Sequence, residues 1–227
     1  MKPVFDNKSS SGNGSSGSSL SWSHKIGQVG TTGLLVVGLT AEYIPNGGAG
    51  ATGVTFNGIS LTKIGSISEQ SSHNTFIELW ALWGSTLPQN GTYTITASWG
   101  GNSNSRTAGA MSFFGVKAQT AEATATKGTN TGDYTLTAPI TTLTNNALLI
   151  AIYGSQNNAT TYPGSGQIEE WSQGASSENS INEGSFKVVP LAGLNQMQCS
   201  MANAEGAGLV VASFAPSPAN GLFMASL

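Results

Sequence analysis

Charge is what this sequence has least of. Eight Lys and Arg and eleven Asp and Glu stand in 227 residues, with two His and one Cys. Acid–base and nucleophilic mechanisms need titratable side chains with tuned pKa values, and metal sites need clustered His, Cys or carboxylates, so this composition argues against an enzyme. A net charge of −3 with no cluster of Lys or Arg excludes the basic patch that binding to nucleic acid requires, and disfavours anionic membranes. The single cysteine, Cys199, cannot close an internal disulfide, the usual staple of small secreted domains. No segment approaches the roughly 18 consecutive apolar residues of a membrane-spanning helix. The opening Met1-Lys2-Pro3-Val4-Phe5-Asp6-Asn7 lacks the apolar region of a secretion signal. Together these absences predict synthesis and folding in a cytoplasm, with no cofactor, nucleic acid or membrane among the partners.

What the sequence has instead is 30 Gly set among Ser, Thr and Asn, with short apolar segments between them. Tyr93-Thr94-Ile95-Thr96-Ala97-Ser98-Trp99 alternates strictly, as a strand with one buried face does, and Leu20, Trp22 and His24 alternate with Ser21, Ser23 and Lys25. Further strands are predicted over 34–40, 54–56, 59–64, 76–83, 110–116, 134–137, 148–153, 186–189 and 208–214. Asn57-Gly58 between two such segments predicts a hairpin, because both central positions of a type I′ turn need positive φ. Asn90-Gly91 marks another turn. No stretch carries apolar residues at helical spacing between caps. The prediction is an all-β fold with very little helix: a two-sheet antiparallel β-sandwich of the jelly-roll kind. Residues 1–19 read as a flexible Ser/Gly-rich arm, 20–216 as one sandwich domain and 217–227 as an apolar tail. The halves echo one another: Gly33 to Gly38 resembles Ala147 to Ile152, and Ala108 to Phe114 resembles Ala207 to Phe214. A duplicated half and the general likeness of buried strands explain this equally well.

The candidates for chemistry are few. His24 and His73 stand at ligand spacing from no other His or Cys. Cys199 reads as a small buried hydrophobe, since no adjacent cation would lower its pKa. Glu169-Glu170 is the one adjacent carboxylate pair, and neighbours on a strand face opposite ways, so they cannot share one bond as a glycosidase pair would. Asp6, Glu42, Asp133 and Glu183 are scattered. Of the five Trp, Trp80 and Trp83 have the odd spacing that sends them to opposite faces, and either could stack on a glycan. The tails are more telling: Leu222, Phe223 and Met224 end a polar protein on an apolar segment, and Val4 and Phe5 precede the Ser/Gly stretch. These five residues are the candidate contacts to a neighbouring subunit or partner.

In order, Phe5-Asp6-Asn7, the Ser/Gly stretch, Leu20 to His24, Leu34 to Gly38, Val54 to Ile64, Ile77 to Trp80, Gly91 to Thr96 and Gly164 to Trp171 resemble a β-sandwich family common in bacteriophage virion genes. The resemblance covers Phe5 to about Pro216. It implies a structural protein, such as a capsid decoration or cement protein on the virion surface, made in the host cytoplasm, with other copies of itself and a major capsid protein as partners. A cyclic trimer at local threefold positions is the expected arrangement. Two other readings stay open: an extracellular filament subunit that exchanges a tail or donor strand with its neighbour, and a carbohydrate-binding module.

Overall fold

The runs Leu34 to Val37 and Leu148 to Ile152 leave no polar face to turn towards water, so strands that contain them must be covered on both sides. The computed structural model meets that demand with four stacked layers. It describes residues 1–12, 17–27, 30–43, 50–70, 74–103, 105–131, 135–156, 159–174, 180–202 and 205–218. The first half of the chain forms β1 (Val4–Ser10), β2 (Gly17–Ile26), β3 (Leu34–Tyr43), β4 (Gly53–Phe56), β5 (Ile59–Ser60), β6 (Thr62–Gln70), β7 (Asn74–Trp83), β8 (Gly91–Ser103) and β9 (Ser105–Phe114). The second half forms β10 (Ala123–Thr131), β11 (Thr135–Thr142), β12 (Ala147–Ser155), β13 (Thr161–Pro163), β14 (Ile168–Gly174), β15 (Ile181–Val189), β16 (Gly193–Met201) and β17 (Glu205–Phe214). Helix among the described residues is limited to the 3₁₀ turns Gly30–Thr32 and Gly84–Thr86.

The all-β antiparallel sandwich of the prediction forms, and its sheets number four. In the first half an inner sheet of order β1-β9-β3-β7-β6 lies against an outer sheet β2-β8-β4-β5. In the second half β10-β17-β12-β15-β14 lies against β11-β16-β13. The chain crosses between inner and outer sheets as it proceeds, the jelly-roll path, and the second half repeats the path of the first. The echo in the sequence therefore falls on counterpart strands. Leu34 pairs with Phe113 as Leu148 pairs with Phe214, and Val36 pairs with Met111 as Ile150 pairs with Ala212. Just beyond the two last strands, Val116 and Pro216 form a bridge to each other, joining equivalent points of the halves.

Three cores separate the four layers. Trp22, Val37, Phe56, Trp80 and Ile95 fill the first sandwich, and Leu136, Leu149, Tyr153, Met197 and Cys199 fill the second. Between them the two inner sheets pack face to face through Leu34, Val36, Ile77, Met111, Phe113, Ile150, Ile152, Trp171, Phe186 and Val210. Where counterpart strands β3 and β12 cross, a large side chain on one meets a glycine on the other. A Cβ on Gly38 would lie 2.6 Å from Ile152, and one on Gly154 would lie 2.3 Å from the Thr40 hydroxyl. Asn57 and Gly58 both have positive φ, so the expected β4–β5 hairpin turn is in place.

One expectation is corrected. Of residues 1–19, expected as a flexible arm, Val4–Ser10 form β1, which pairs along β9 as the edge of the inner sheet, and Gly17–Ser19 begin β2, while 13–16 lie outside the described residues. Composition suggested a linker because Ser and Gly cannot build a core, but here the hydroxyls are used. Ser9 is hydrogen-bonded to His24 and Trp22, Ser10 to Gln173, and Ser11 accepts from the Ala108 amide. Of the C-terminal segment, Ser217 and Pro218 are placed, while Leu222, Phe223 and Met224 lie outside the described residues.

Candidate contact surface

The pairing brings one set of strand ends together. Val4 lies opposite Phe114, Leu34 opposite Trp83, Leu148 opposite Val188 and Phe214, and Ile168 opposite Phe186. Phe5, Phe113 and Phe186 contact one another across the inner sheets, so these ends belong to one end of the molecule. Among the described residues, seven large apolar side chains are exposed, and six of them are here: Met1, Val4, Leu143, Ile168, Leu191 and Leu194. The seventh, Tyr162, lies on β13. Single exposed hydrophobes are ordinary, whereas their concentration on one end makes it the candidate contact surface.

Three leucines dominate it. Leu143 in the β11–β12 loop is 65% exposed, and Leu191 and Leu194 in and beside the β15–β16 turn are 70% and 79% exposed. The two loops are stitched together. The Asn146 amide donates to the Pro190 carbonyl at 3.3 Å and the Ala192 amide donates to Asn145 Oδ1 at 2.8 Å. Asn195 Nδ2 donates to Thr142 Oγ1 at 3.3 Å, and Asn146 holds positive φ to make the turn. The leucines are thus presented on a fixed frame, which reduces the ordering cost of binding. The sequence reading passed over them, although leucines beside or within turn-rich Thr144-Asn145-Asn146 and Pro190-Leu191-Ala192-Gly193 were the available signal.

Val4 and Phe5, the expected partner contacts, lie on an open groove of about 490 Å³ that runs between the start of β1 and the facing parts of β14 and β15. Val4 is exposed, and Phe5 stacks on Phe186 with 5.7 Å between ring centroids, so Phe5 serves the fold itself. Trp80 and Trp83 do point to opposite sides of β7. The stacking role for Trp80 is corrected, because the side chain is buried in the first core, its Nε1 donates to Glu78 at 2.9 Å, and the Lys63 ammonium covers the ring at 4.9 Å. Trp83 is half-buried beside a hollow of about 240 Å³ lined also by Thr62, Ala81, Leu82 and Thr86.

The titratable groups are spread through the layers. Among the described residues, no three His, Cys, Asp or Glu come together as a metal would need. His73 and Asp133 lie outside the described residues. His24 is buried and joined at Nδ1 to Ser9 Oγ, 2.8 Å, and at Nε2 to Ser112 Oγ, 3.2 Å. Ser112 donates to Asp6 Oδ2 at 2.8 Å and Trp22 Nε1 donates to Ser9, which assigns a neutral ring with its hydrogen on Nε2. Serine, histidine and aspartate meet here without the order of a catalytic triad: the carboxylate bonds the Ser112 hydroxyl instead of the imidazole, and the ring is closed to solvent. The chain of bonds ties edge strand β1 to β2 and β9.

Burial lowers the His24 pKa to about 4, against a smaller opposing pull from Asp6. The unfolded chain therefore binds the extra proton first, and stability is lost as pH falls from about 6.5 to about 4. Replacing His24 with Gln should remove that loss, about 3 kcal/mol between pH 6.5 and pH 4, so that in urea titrations at stepped pH the variant gains stability relative to the wild type as pH falls; a difference that does not change with pH would contradict it.

In the second sandwich Glu183 is wholly buried, neither oxygen has a hydrogen-bond partner, and burial raises its pKa to about 8. Cys199 is buried beside it, and burial with the Glu183 charge pushes the thiol far up, the opposite of a nucleophile. Glu170 reaches Lys8 on β1 at 3.3 Å, while a register shift separates Glu169 from Trp171 along the β14–β15 ladder. Glu78, by contrast, is fully matched by Lys63, Trp80 and the Ala51 amide. Compared with protein families, with curated proteins and with solved structures, the chain matches none.

Proposed function

We propose that this chain is a non-enzymatic structural protein of a virion, a capsid decoration protein that binds and stabilises the particle surface. The observation that carries the reading is the one-ended surface of Leu143, Leu191 and Leu194, held on stitched loops of a four-layer β scaffold. A rigid body with a single apolar end suits attachment to a large flat partner, where symmetry multiplies a modest contact. The partner is a major capsid protein. A cyclic trimer fits the same surface, since rotation about one axis keeps the apolar ends of all copies on one side, facing the particle.

Gold-labelled antibody against the chain, applied to particles released from producing cells, tests the assignment. Label on capsid shells is the expected result. Label along filaments, or none on particles, would reject it in favour of a filament subunit or a carbohydrate-binding module.

A further inference from the structure

One exposed aromatic ring stands apart from the leucine-bearing end. Tyr162 on edge strand β13 is 56% exposed, and it pairs with Ser200 of β16, which pairs in turn with Thr135 of β11. Residues directly opposite one another share a face of the sheet. The ring therefore lies on the outward face of the second outer sheet, in line with the Ser200 and Thr135 hydroxyls, which are bonded to each other at 2.9 Å. The next row along holds Thr137 and Gln198. The main chain of Gln198 is fully engaged: its amide donates to Gln167 Oε1 at 2.8 Å, and its carbonyl accepts from the Gly164 amide at 2.8 Å. These bonds fix the strand and leave the half-buried Gln198 side chain for other contacts. Gly164, two residues beyond Tyr162, adds no side chain to that row. None of the residues of β11, β13 and β16 is charged. Lys187, from the layer beneath, reaches the Gln196 carbonyl at 2.6 Å, four residues along β16 from Ser200.

We propose that this face is a binding site for a neutral glycan, with one pyranose ring seated on Tyr162 and its hydroxyls bonded by Gln198, Ser200 and Thr137. A pyranose presents a face of C–H groups and a rim of hydroxyls. An aromatic plane covers the first, and uncharged amides and hydroxyls replace the water lost from the second. Neighbouring strands stand about 5 Å apart and alternate residues about 7 Å apart, so both rows fall within reach of a sugar on the ring. An anionic polymer would find no cationic partner on these three strands. Leu194 lies six residues from Ser200 along β16, about 20 Å away. A chain attached by its leucine-bearing end would therefore hold Tyr162 away from the surface it covers. The site rests on its own geometry, so it stands or falls independently of the virion role.

The test is electrophoresis of the full chain in native gels cast with dextran, mannan or galactan as neutral polymers and alginate as an acidic one. At least one neutral polymer should slow the wild type, and alginate should not. Tyr162→Ala, a change at an exposed position, should weaken that binding about tenfold or more, as loss of a central aromatic contact does. Tyr162→Phe keeps the ring and should be slowed as the wild type is, and so should Leu143→Asp/Leu191→Asp/Leu194→Asp, altered at the other end. Unchanged migration in all three neutral polymers, slowing that survives Tyr162→Ala, equal slowing by alginate, or slowing lost in the leucine variant would each overturn the proposal. None of these results alters what antibody labelling of particles would show, so the two assignments fail separately.

Discussion

Replacing Trp171 with Ala should lower the free energy of unfolding by about 3–5 kcal/mol, the range for emptying a large aromatic site in a core. Trp171 comes from β14, at the edge of the second inner sheet, yet it reaches into the central core. Gly109 of β9 and Gly184 of β15 make room for it: a Cβ on either would fall 2.2 Å from the indole. The ring therefore fills space belonging to both halves. Its Nε1 donates to Asn182 Oδ1 at 2.7 Å, and Asn182 Nδ2 donates to Thr40 Oγ1 at 2.9 Å, so a polar link between the halves depends on the same side chain. Urea unfolding followed by tryptophan fluorescence and by circular dichroism should show one coincident transition at lower midpoint. A loss below about 1 kcal/mol would mean the centre repacks without the indole, and two separated transitions would mean the halves are not one cooperative unit.

Replacing Glu183 with Gln should stabilise the protein at pH 8 and above by an amount of order 3–5 kcal/mol, following from a pKa moved from its ordinary 4.5 to about 8. Burial is the main cause, and the charge of Glu169 adds to it. The folded state holds the proton that the unfolded state releases, so stability falls as pH rises from about 4.5 to about 8 and then levels off. Glu69 and Glu169, raised in the same direction by partial burial, contribute in the same sense. His24 acts oppositely between about 4 and 6.5. The two slopes overlap from about 4.5 to 6.5, where unfolding releases one proton and takes up another. The wild type should accordingly show a flat stability maximum there. Glu183→Gln should convert it to a rise that plateaus above pH 6.5, whereas His24→Gln should leave a steady fall towards pH 8. Unfolding midpoints across pH 4 to 9 for the three proteins check this, and a Glu183→Gln profile parallel to the wild type would contradict it.

The sequence was most legible where strands have one wet face. Tyr93 to Trp99 alternates because β8 lies in an outer sheet with its apolar side on Trp22, Val37 and Phe56. The hairpin at Asn57-Gly58 was readable because turn geometry selects residue type locally. The number of layers was not read, although the information was present: β3 and β12 have apolar residues at successive positions, a pattern that demands cover on both sides. β1 and β10 were missed because Ser, Thr, Ala and Gly pack there through backbone ladders and hydroxyl bonds, with few large side chains to mark them. β16 was missed as a strand although Gln198 and Ser200 alternate with its buried Met197, Cys199 and Met201, because Met and Cys are weak strand markers beside β-branched and aromatic residues. The contact surface was the least legible part. Val4 was found as an apolar residue in a polar tail, but the grouping of Leu143 with Leu191 and Leu194 depends on a pairing about 50 residues apart in sequence, Thr141 with Leu194 and Thr142 with Gly193.

The two jelly rolls share one central core. The measurement that tests this account most directly is rebinding to particles from which the chain has been stripped. Full-length protein and the variant Leu143→Asp/Leu191→Asp/Leu194→Asp, confirmed as equally folded by circular dichroism, are each sedimented with such particles. Wild type that co-sediments at saturable stoichiometry, with the triple variant left in the supernatant, is the predicted result. A triple variant that rebinds as well as wild type would contradict the assignment of the leucine-bearing end as the contact surface.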